Sequence, residues 1–265
     1  MKIGFIGCGN MGGALASSAV KTLGGDNVLV LCKTKESTEA RARELCATPS
    51  DIESIARESR LIFLGVKPHI IADASELLLP FLKEREDEYA VVSMAAGVSL
   101  DALSKMFGES VSVIRMMPNT AVAVGKGMTV FDHRATESDL QAFRYSMSAS
   151  GEVDMIPEAL IDAATAVMGC GPAFAYQFAD AIAEGGVSCG LKREDAVRYA
   201  AVMMLGAAEM ILSGEKTPRE LRDAVCSPGG STIEGVRFLE QNGFCEAARG
   251  AVAASFEKTK RLGGK

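Results

Sequence analysis

Imidazole and zinc-type cysteine spacing are what this 265-residue sequence has least of. Only His69 and His133 carry an imidazole, and the seven cysteines are dispersed with no C-x-x-C pair. Such a donor set is poor for zinc, so no metal is expected, and scattered thiols suit a reducing cytosol. Basic charge is short as well: 28 lysines and arginines stand against 34 acids, a formal net charge of −6. No basic face is available to neutralise phosphates, which excludes a nucleic-acid binder. No leader is expected either, because Met1-Lys2 runs directly into a strand pattern. The most apolar later stretch, Tyr199 to Leu212, is interrupted by Glu209 and is too short to cross a bilayer. A cytoplasmic protein without a membrane segment is therefore expected.

What is present is ordinary globular material, 48% apolar and 23% charged, enough for one large domain or two smaller ones. Lys2 to Ile6 is a short apolar run that ends in Gly7-Cys8-Gly9-Asn10-Met11-Gly12, and apolar residues then recur at helical spacing from Ala14 to Val20. This is strand, glycine turn and helix. Gly7 makes the turn, Gly9 lets a pyrophosphate approach the backbone, and Gly12 allows the helix to pack closely on the strand. Asn10 and Met11 lie inside the same turn.

One further absence is informative. After the second strand, Val28 to Leu31, an NAD-selective site places a carboxylate to hold the ribose hydroxyls, but here stand Cys32-Lys33-Thr34-Lys35. Lys33, Thr34 and Lys35 would attract a 2′-phosphate, which favours NADPH, with NADH still allowed. Asp51 to Glu58 reads as a surface helix. The apolar run Leu61 to Val66 is typical of a strand buried on both faces, and Val66, Lys67 and Pro68 follow its carboxyl end, where a ligand crevice lies. Tyr89 to Met94 repeats the pattern into Ala95-Ala96-Gly97, small residues for the flat nicotinamide. Val111 to Met116 leads to Asn119 and Thr120, placed to hydrogen-bond cofactor or substrate. Arg115 suits a structural ion pair, Met128 to Phe131 another strand, Thr136 to Ala149 a helix and Val153 to Ile156 an edge strand.

After Pro157 strand alternation stops and alanine-rich helical patterns take over. Residues 1–157 are thus expected to form a Rossmann domain in an α/β fold, and residues 158–265 an all-helical domain. The spacing predicts helices over Leu160–Val167, Pro172–Cys189, Arg193–Leu212, Pro218–Cys226, Thr232–Gln241 and Cys245–Leu262. Two of them are apolar around most of their circumference, more than a domain this small can bury, so a homodimer built on the helical domain is expected. Ser227-Pro228-Gly229-Gly230-Ser231-Thr232 reads as a tight turn presenting backbone donors at a helix start, with Ser231 or Thr232 as the helix-starting residue. Alone, the stretch reads more readily as a turn that closes one helix and caps the next, and the rest of the chain is what lifts it to a ligand turn.

The ordered set Gly7 to Gly12, Val66-Lys67-Pro68, Ala95-Ala96-Gly97, Met117-Pro118-Asn119-Thr120, Gly171-Pro172-Ala173 and Ser227-Pro228-Gly229-Gly230 with Thr232-Ile233 closely resembles the pyrroline-5-carboxylate reductases, over nearly the whole chain. The resemblance implies reduction of 1-pyrroline-5-carboxylate to proline by NAD(P)H, a helical dimerisation domain that interlocks between subunits, and the decamers that such dimers often build. It places cofactor contacts on Gly7 to Gly12, Lys33 to Lys35, Val66 to Pro68 and Ala95. Substrate contacts fall on Ser227, Gly229, Gly230, Ser231 and Thr232. The turn's N–H groups would hold the carboxylate, while the Thr232 hydroxyl meets the ring nitrogen. This chain departs from the family in having Ala121 where proline is common, and Met168 and Cys170 where serines are. A polar cofactor contact before the Leu61 strand has no clear match, with Asp51 or Ile52 near its place. The alternatives are a β-hydroxyacid dehydrogenase or imine reductase, or a non-catalytic nucleotide-binding protein. A hydroxyacid enzyme wants a lysine early in the second domain, and Leu160 through Leu191 has none.

Overall fold

Short runs of apolar residues with no polar interruption build the sheet, because a parallel sheet is covered on both faces and tolerates no solvent-facing alternation. The structure, a computed structural model, describes residues 1–262; positions 263–265 of the expected second domain lie outside the described residues. In chain order come β1 (Ile3–Ile6), α1 (Asn10–Leu23), β2 (Val28–Leu31), α2 (Lys35–Leu45), β3 (Thr48–Pro49), α3 (Ile52–Glu58) and β4 (Leu61–Leu64). Then follow α4 (Ile71–Leu82), β5 (Ala90–Ser93), α5 (Leu100–Phe107), β6 (Ser112–Pro118), β7 (Gly127–Arg134), α6 (Glu137–Ser146) and β8 (Gly151–Met155). The strands form one sheet in the order β3-β2-β1-β4-β5-β6-β7-β8, parallel except for the antiparallel pair β6–β7.

Strand side chains alternate between the two faces. Phe5, Phe63 and Val30 enter a core with Leu15 of α1 and Phe143 of α6, while Ile6, Ile62 and Leu64 enter another with Leu78 of α4 and Leu103 of α5. The Phe5 and Phe63 rings stack with centroids 4.5 Å apart. β8 is the edge strand expected near residue 153. The reading of the residues did not name α2, α4 or the two-residue β3. α2 begins with Thr34 accepting from Ser37 N at 3.2 Å, and serine at that position is a weaker sequence signal than the usual Glu or Gln.

The helical half contains α7 (Glu158–Ala164), a π-helical segment (Thr165–Gly169), α8 (Gly171–Ser188), α9 (Arg193–Leu212), α10 (Pro218–Val225), α11 (Ser231–Gln241) and α12 (Phe244–Leu262). Each starts within two residues of its expected position. The T-P-R-E signal before α10 is a true capping box, with Thr217 N donating to Glu220 Oε2 at 2.8 Å. One detail corrects the sequence reading: the long apolar stretch is Glu158–Ser188, not Tyr199 to Leu212. Its 31 residues form a helical run with a mean hydropathy of 1.3 over its most apolar window, only 17% of which is buried, and by length and composition it is able to cross a bilayer. Gly169 to Pro172 resembles a break, yet Cys170 N donates to Thr165 O at 2.9 Å, a wide i→i+5 turn that carries the helix through.

By packing, the chain divides into a sheet unit, Met1–Cys170 with the chain from Ser255 on, and a helical unit, Gly171–Ala254. α7 stays with the sheet because Arg115, buried on β6, donates to Glu158 Oε1 and to Asp162 Oδ1, each at 2.9 Å. Glu158 Oε1 also accepts from Leu100 N at 2.8 Å, so one carboxylate ties β6 to the start of α5.

Candidate active site

At the carboxyl ends of β1 and β4 the strand order reverses, which is where α/β sheets bind ligands. Three glycines meet there. Gly7 turns the chain at φ +91, and its N–H donates to Leu31 O at 2.8 Å. A Cβ on Gly12 would fall 2.2 Å from the Gly7 carbonyl oxygen, and one on Gly65 2.3 Å from the same atom. Any side chain at these positions would push α1 or the end of β4 off the turn. Gly9 differs, because nothing in the chain lies within 4 Å of a Cβ built on it. The fold itself does not require glycine there, which fits a group brought close to the backbone from outside.

Gly9, Asn10, Met11 and Gly12 line a cavity of about 540 Å³ together with Gly65, Val66, Lys67, Pro68 and Met94 to Ala96. The cavity therefore gathers the glycine turn, Val66-Lys67-Pro68 and Ala95, and the N-terminus of α1 opens there without a side-chain cap. A second cavity, of about 490 Å³, lies at the end of β2 and holds Lys33, Thr34 and Lys35, all exposed. Asp51 lines it as well while its Oδ1 accepts from Ser54 N at 2.8 Å, so the residue without a family match caps α3 at the cavity wall. Its D-x-x-S spacing is the signal by which the sequence shows it. Beneath the turn, burial pushes the Cys8 thiol up to about 12, helped by the neighbouring Cys32, so Cys8 stays protonated at neutral pH.

Asn119 stands apart. It is buried and lines neither cavity; its Oδ1 accepts from Ala121 N and Met128 N, each at 3.2 Å, and its Nδ2 donates to Met168 O at 3.0 Å. The side chain expected at a ligand instead caps the 3-10 turn Thr120–Val124. Two departures from the family pattern meet it through backbone groups: Met168 through a carbonyl that any residue provides, and Ala121 through an N–H that the family's proline would lack.

In the helical unit, α10 ends at the Ser227 turn. Gly229 adopts φ +73, Gly230 N donates to Ser227 O at 3.0 Å, and a Cβ on Gly230 would fall 2.5 Å from Ser227 Oγ. Gly229 is therefore required by the turn itself, whereas a side chain at Gly230 would first displace the exposed Ser227 hydroxyl. Gly230 occupies the cap position with no side-chain hydrogen bond, and Ser231 and Thr232 are the first two helical residues of α11. Ser231 starts the helix as expected, but the cap before it is a glycine, and the Thr232 side chain is exposed and free of capping duty. Ser227, Pro228, Gly229 and Ser231 are exposed beside it.

Known proteins are similar to this chain along its length. Residues 158–262 match the family described as pyrroline-5-carboxylate reductase dimerisation, and residues 2–97 that described as NADP oxidoreductase coenzyme F420-dependent. The chain is 35% identical to the pyrroline-5-carboxylate reductase of Aquifex aeolicus, over 99% of this chain and 97% of that protein. It is equally 35% identical to the Escherichia coli enzyme of that name, over 98% of each. Its fold matches the crystal structure of Plasmodium falciparum pyrroline carboxylate reductase with NADP bound, at TM-score 0.88 and 29% identity, covering 99% of this chain and 98% of that one. A dinucleotide-binding sheet, a glycine turn at an uncapped helix start and relatives matching end to end lead to one conclusion: the chain belongs to the pyrroline-5-carboxylate reductases, oxidoreductases that form proline with NAD(P)H and associate through their helical domain.

Proposed function

We propose that the chain reduces 1-pyrroline-5-carboxylate to L-proline with NADPH, and that its two domains, 1–157 and 158–265, divide the work. The glycine turn Gly7 to Gly12, Val66 to Pro68 and Ala95 hold the dinucleotide, and Lys33, Thr34 and Lys35 receive its 2′-phosphate. A nicotinamide held by these residues would supply the hydride that the C=N carbon needs. A protonated cyclic iminium is already electrophilic, so orientation rather than a strong acid is what the protein must provide.

The observation that carries the substrate assignment is the uncapped start of α11 behind the Ser227 turn. Backbone N–H groups at Gly229 and Ser231, on either side of Gly230 whose own N–H closes the turn onto Ser227 O, have the polarity for a carboxylate, and the macrodipole adds to it. The Thr232 hydroxyl meets the ring nitrogen and relays its proton. Apolar side chains left exposed on α8 and α9 support a homodimer through the helical domain; further assembly of such dimers into decamers is what the family resemblance implies. The same surface accounts for the apolar run Glu158–Ser188 without a membrane, and the dispersed free thiols suit work in the cytoplasm.

Oxidation of NADPH on addition of pyrroline-5-carboxylate, with no turnover of a hydroxyacid in reverse, is the expected assay result, with a lower KM for NADPH than for NADH. Thr232→Ala should cut kcat by at least tenfold, a loss of about 1.4 kcal/mol in transition-state stabilisation, at an unchanged melting temperature. Full activity in that variant would reject the role of Thr232.

A further inference from the structure

Arg41, on α2, reaches the glycine turn that precedes α1. Its Nε donates to the carbonyl oxygen of Cys8 at 2.9 Å and its Nη2 to that of Gly9 at 3.3 Å. Its Nη1 donates to both carboxylate oxygens of Glu44, at 2.9 and 2.8 Å. The guanidinium lies against Gly13, where a Cβ would fall 3.1 Å from its Cζ. Gly13 follows the three-glycine pattern, which does not ask for it, and its lack of a side chain makes room for Arg41.

A trans peptide holds its C=O and N–H antiparallel. Pinning the Cys8 carbonyl from the α2 side therefore turns the Gly9 N–H the opposite way, while the Gly9 carbonyl, held by Gly13 N at 2.8 Å, is only reinforced by Arg41 in orienting the Asn10 N–H; both residues line the 540 Å³ cavity. We propose that Arg41 is a positioning residue for cofactor binding: its forked side chain sets the glycine turn so that the turn's N–H groups meet the dinucleotide pyrophosphate. It acts through the loop and not as a phosphate ligand, since Glu44 already engages its charge. The proposal rests on the dinucleotide reading of the glycine turn.

The test is calorimetric titration of the full chain with NADP⁺ and with NAD⁺, for the wild type, Arg41→Met and Arg41→Lys. Because the pyrophosphate is common to both dinucleotides, Arg41→Met should raise both dissociation constants by one factor, about tenfold, at an unchanged melting temperature. Arg41→Lys keeps the charge but cannot span two carbonyls and a carboxylate, so it should recover little of the loss. Weakened binding of NADP⁺ alone would make Arg41 a partner of the 2′-phosphate, and full recovery with lysine would reduce it to bulk charge; either result overturns the proposal, as does unchanged affinity in Arg41→Met. A wild-type chain that binds neither dinucleotide would remove the cofactor reading beneath it as well.

Discussion

The sheet unit and the helical unit hold the same kinds of apolar side chain in opposite states. In the sheet unit Phe5, Phe63, Phe131 and Phe143 are fully buried, whereas within Gly171–Ala254 the buried apolar residues are the alanines 183, 196 and 200. Leu212 is 83% exposed there, Phe238 67%, Tyr176 65% and Leu205 56%. A parallel sheet receives helices on both faces from its own connections, so one chain can complete its core. Two long helices that are apolar nearly all round have no such cover. Folding alone leaves part of the helical unit's hydrophobic free energy unrealised until a second copy arrives, which is the physical content of a dimerisation domain.

The largest effect should come from placing charge on that uncovered surface. A leucine buried in an interface contributes about 1.5–3 kcal/mol, and twofold symmetry counts it twice. Leu205→Asp should therefore raise the dimer dissociation constant by a hundredfold or more in sedimentation equilibrium; an intact dimer at nanomolar concentration would break the contrast between the units. The next test lies inside the sheet unit. Arg115→Met leaves Glu158 and Asp162 without their cation and should cost about 3–5 kcal/mol in urea unfolding, whereas a loss under 1 kcal/mol would mean that α7 is held to β6 by packing alone.

A smaller, pH-dependent effect sharpens the same point. Asp139 is almost wholly buried, and although desolvation works against its charge, hydrogen bonds from Ser112, Thr136 and Arg60 outweigh it and hold the carboxyl below its ordinary value of 3.8. A depressed folded-state value means the stabilisation is complete above pH 3.8 and disappears as the pH falls through the lower, folded value. Thermal melting should accordingly steepen in its loss below that pH for the wild type and flatten in Asp139→Asn. The association of the helical unit, which does not contain this group, should not follow that curve.

Much of the fold was legible because its signals are local. The runs Val28–Leu31 and Leu61–Leu64, the T-P-R-E box before α10 and the Gly-rich turn at β1 each declare their structure within a few residues. α2 was overlooked because Ser37 closes its capping box in place of an acid, and the π turn at Thr165–Gly169 because a Gly-Pro pair reads as a stop. Asn119 shows the limit for site residues. A polar side chain just past a strand end is equally suited to a ligand or to the chain's own backbone, and the choice was made by Met128 and Met168, the latter far off in sequence. Arg41 lies in a plain surface-helix pattern, and only the approach of α2 to the Cys8 and Gly9 carbonyls makes it notable.

By itself the sequence determined the strand-turn-helix that opens the chain, the shift from strands to helices after Pro157, the surplus of apolar helix surface and the Ser227 turn. These follow from periodicity, from glycine and proline stereochemistry and from capping, all of which act over a few residues. The tertiary structure alone decided that Gly9 faces open space while Gly12 and Gly65 crowd the Gly7 carbonyl, that Arg115 binds α7 to the sheet, and that Gly230 caps α11. Those outcomes depend on which backbone atoms and side chains come within a few ångströms of each other, and contact of that kind is set by packing across the chain, not by order along it.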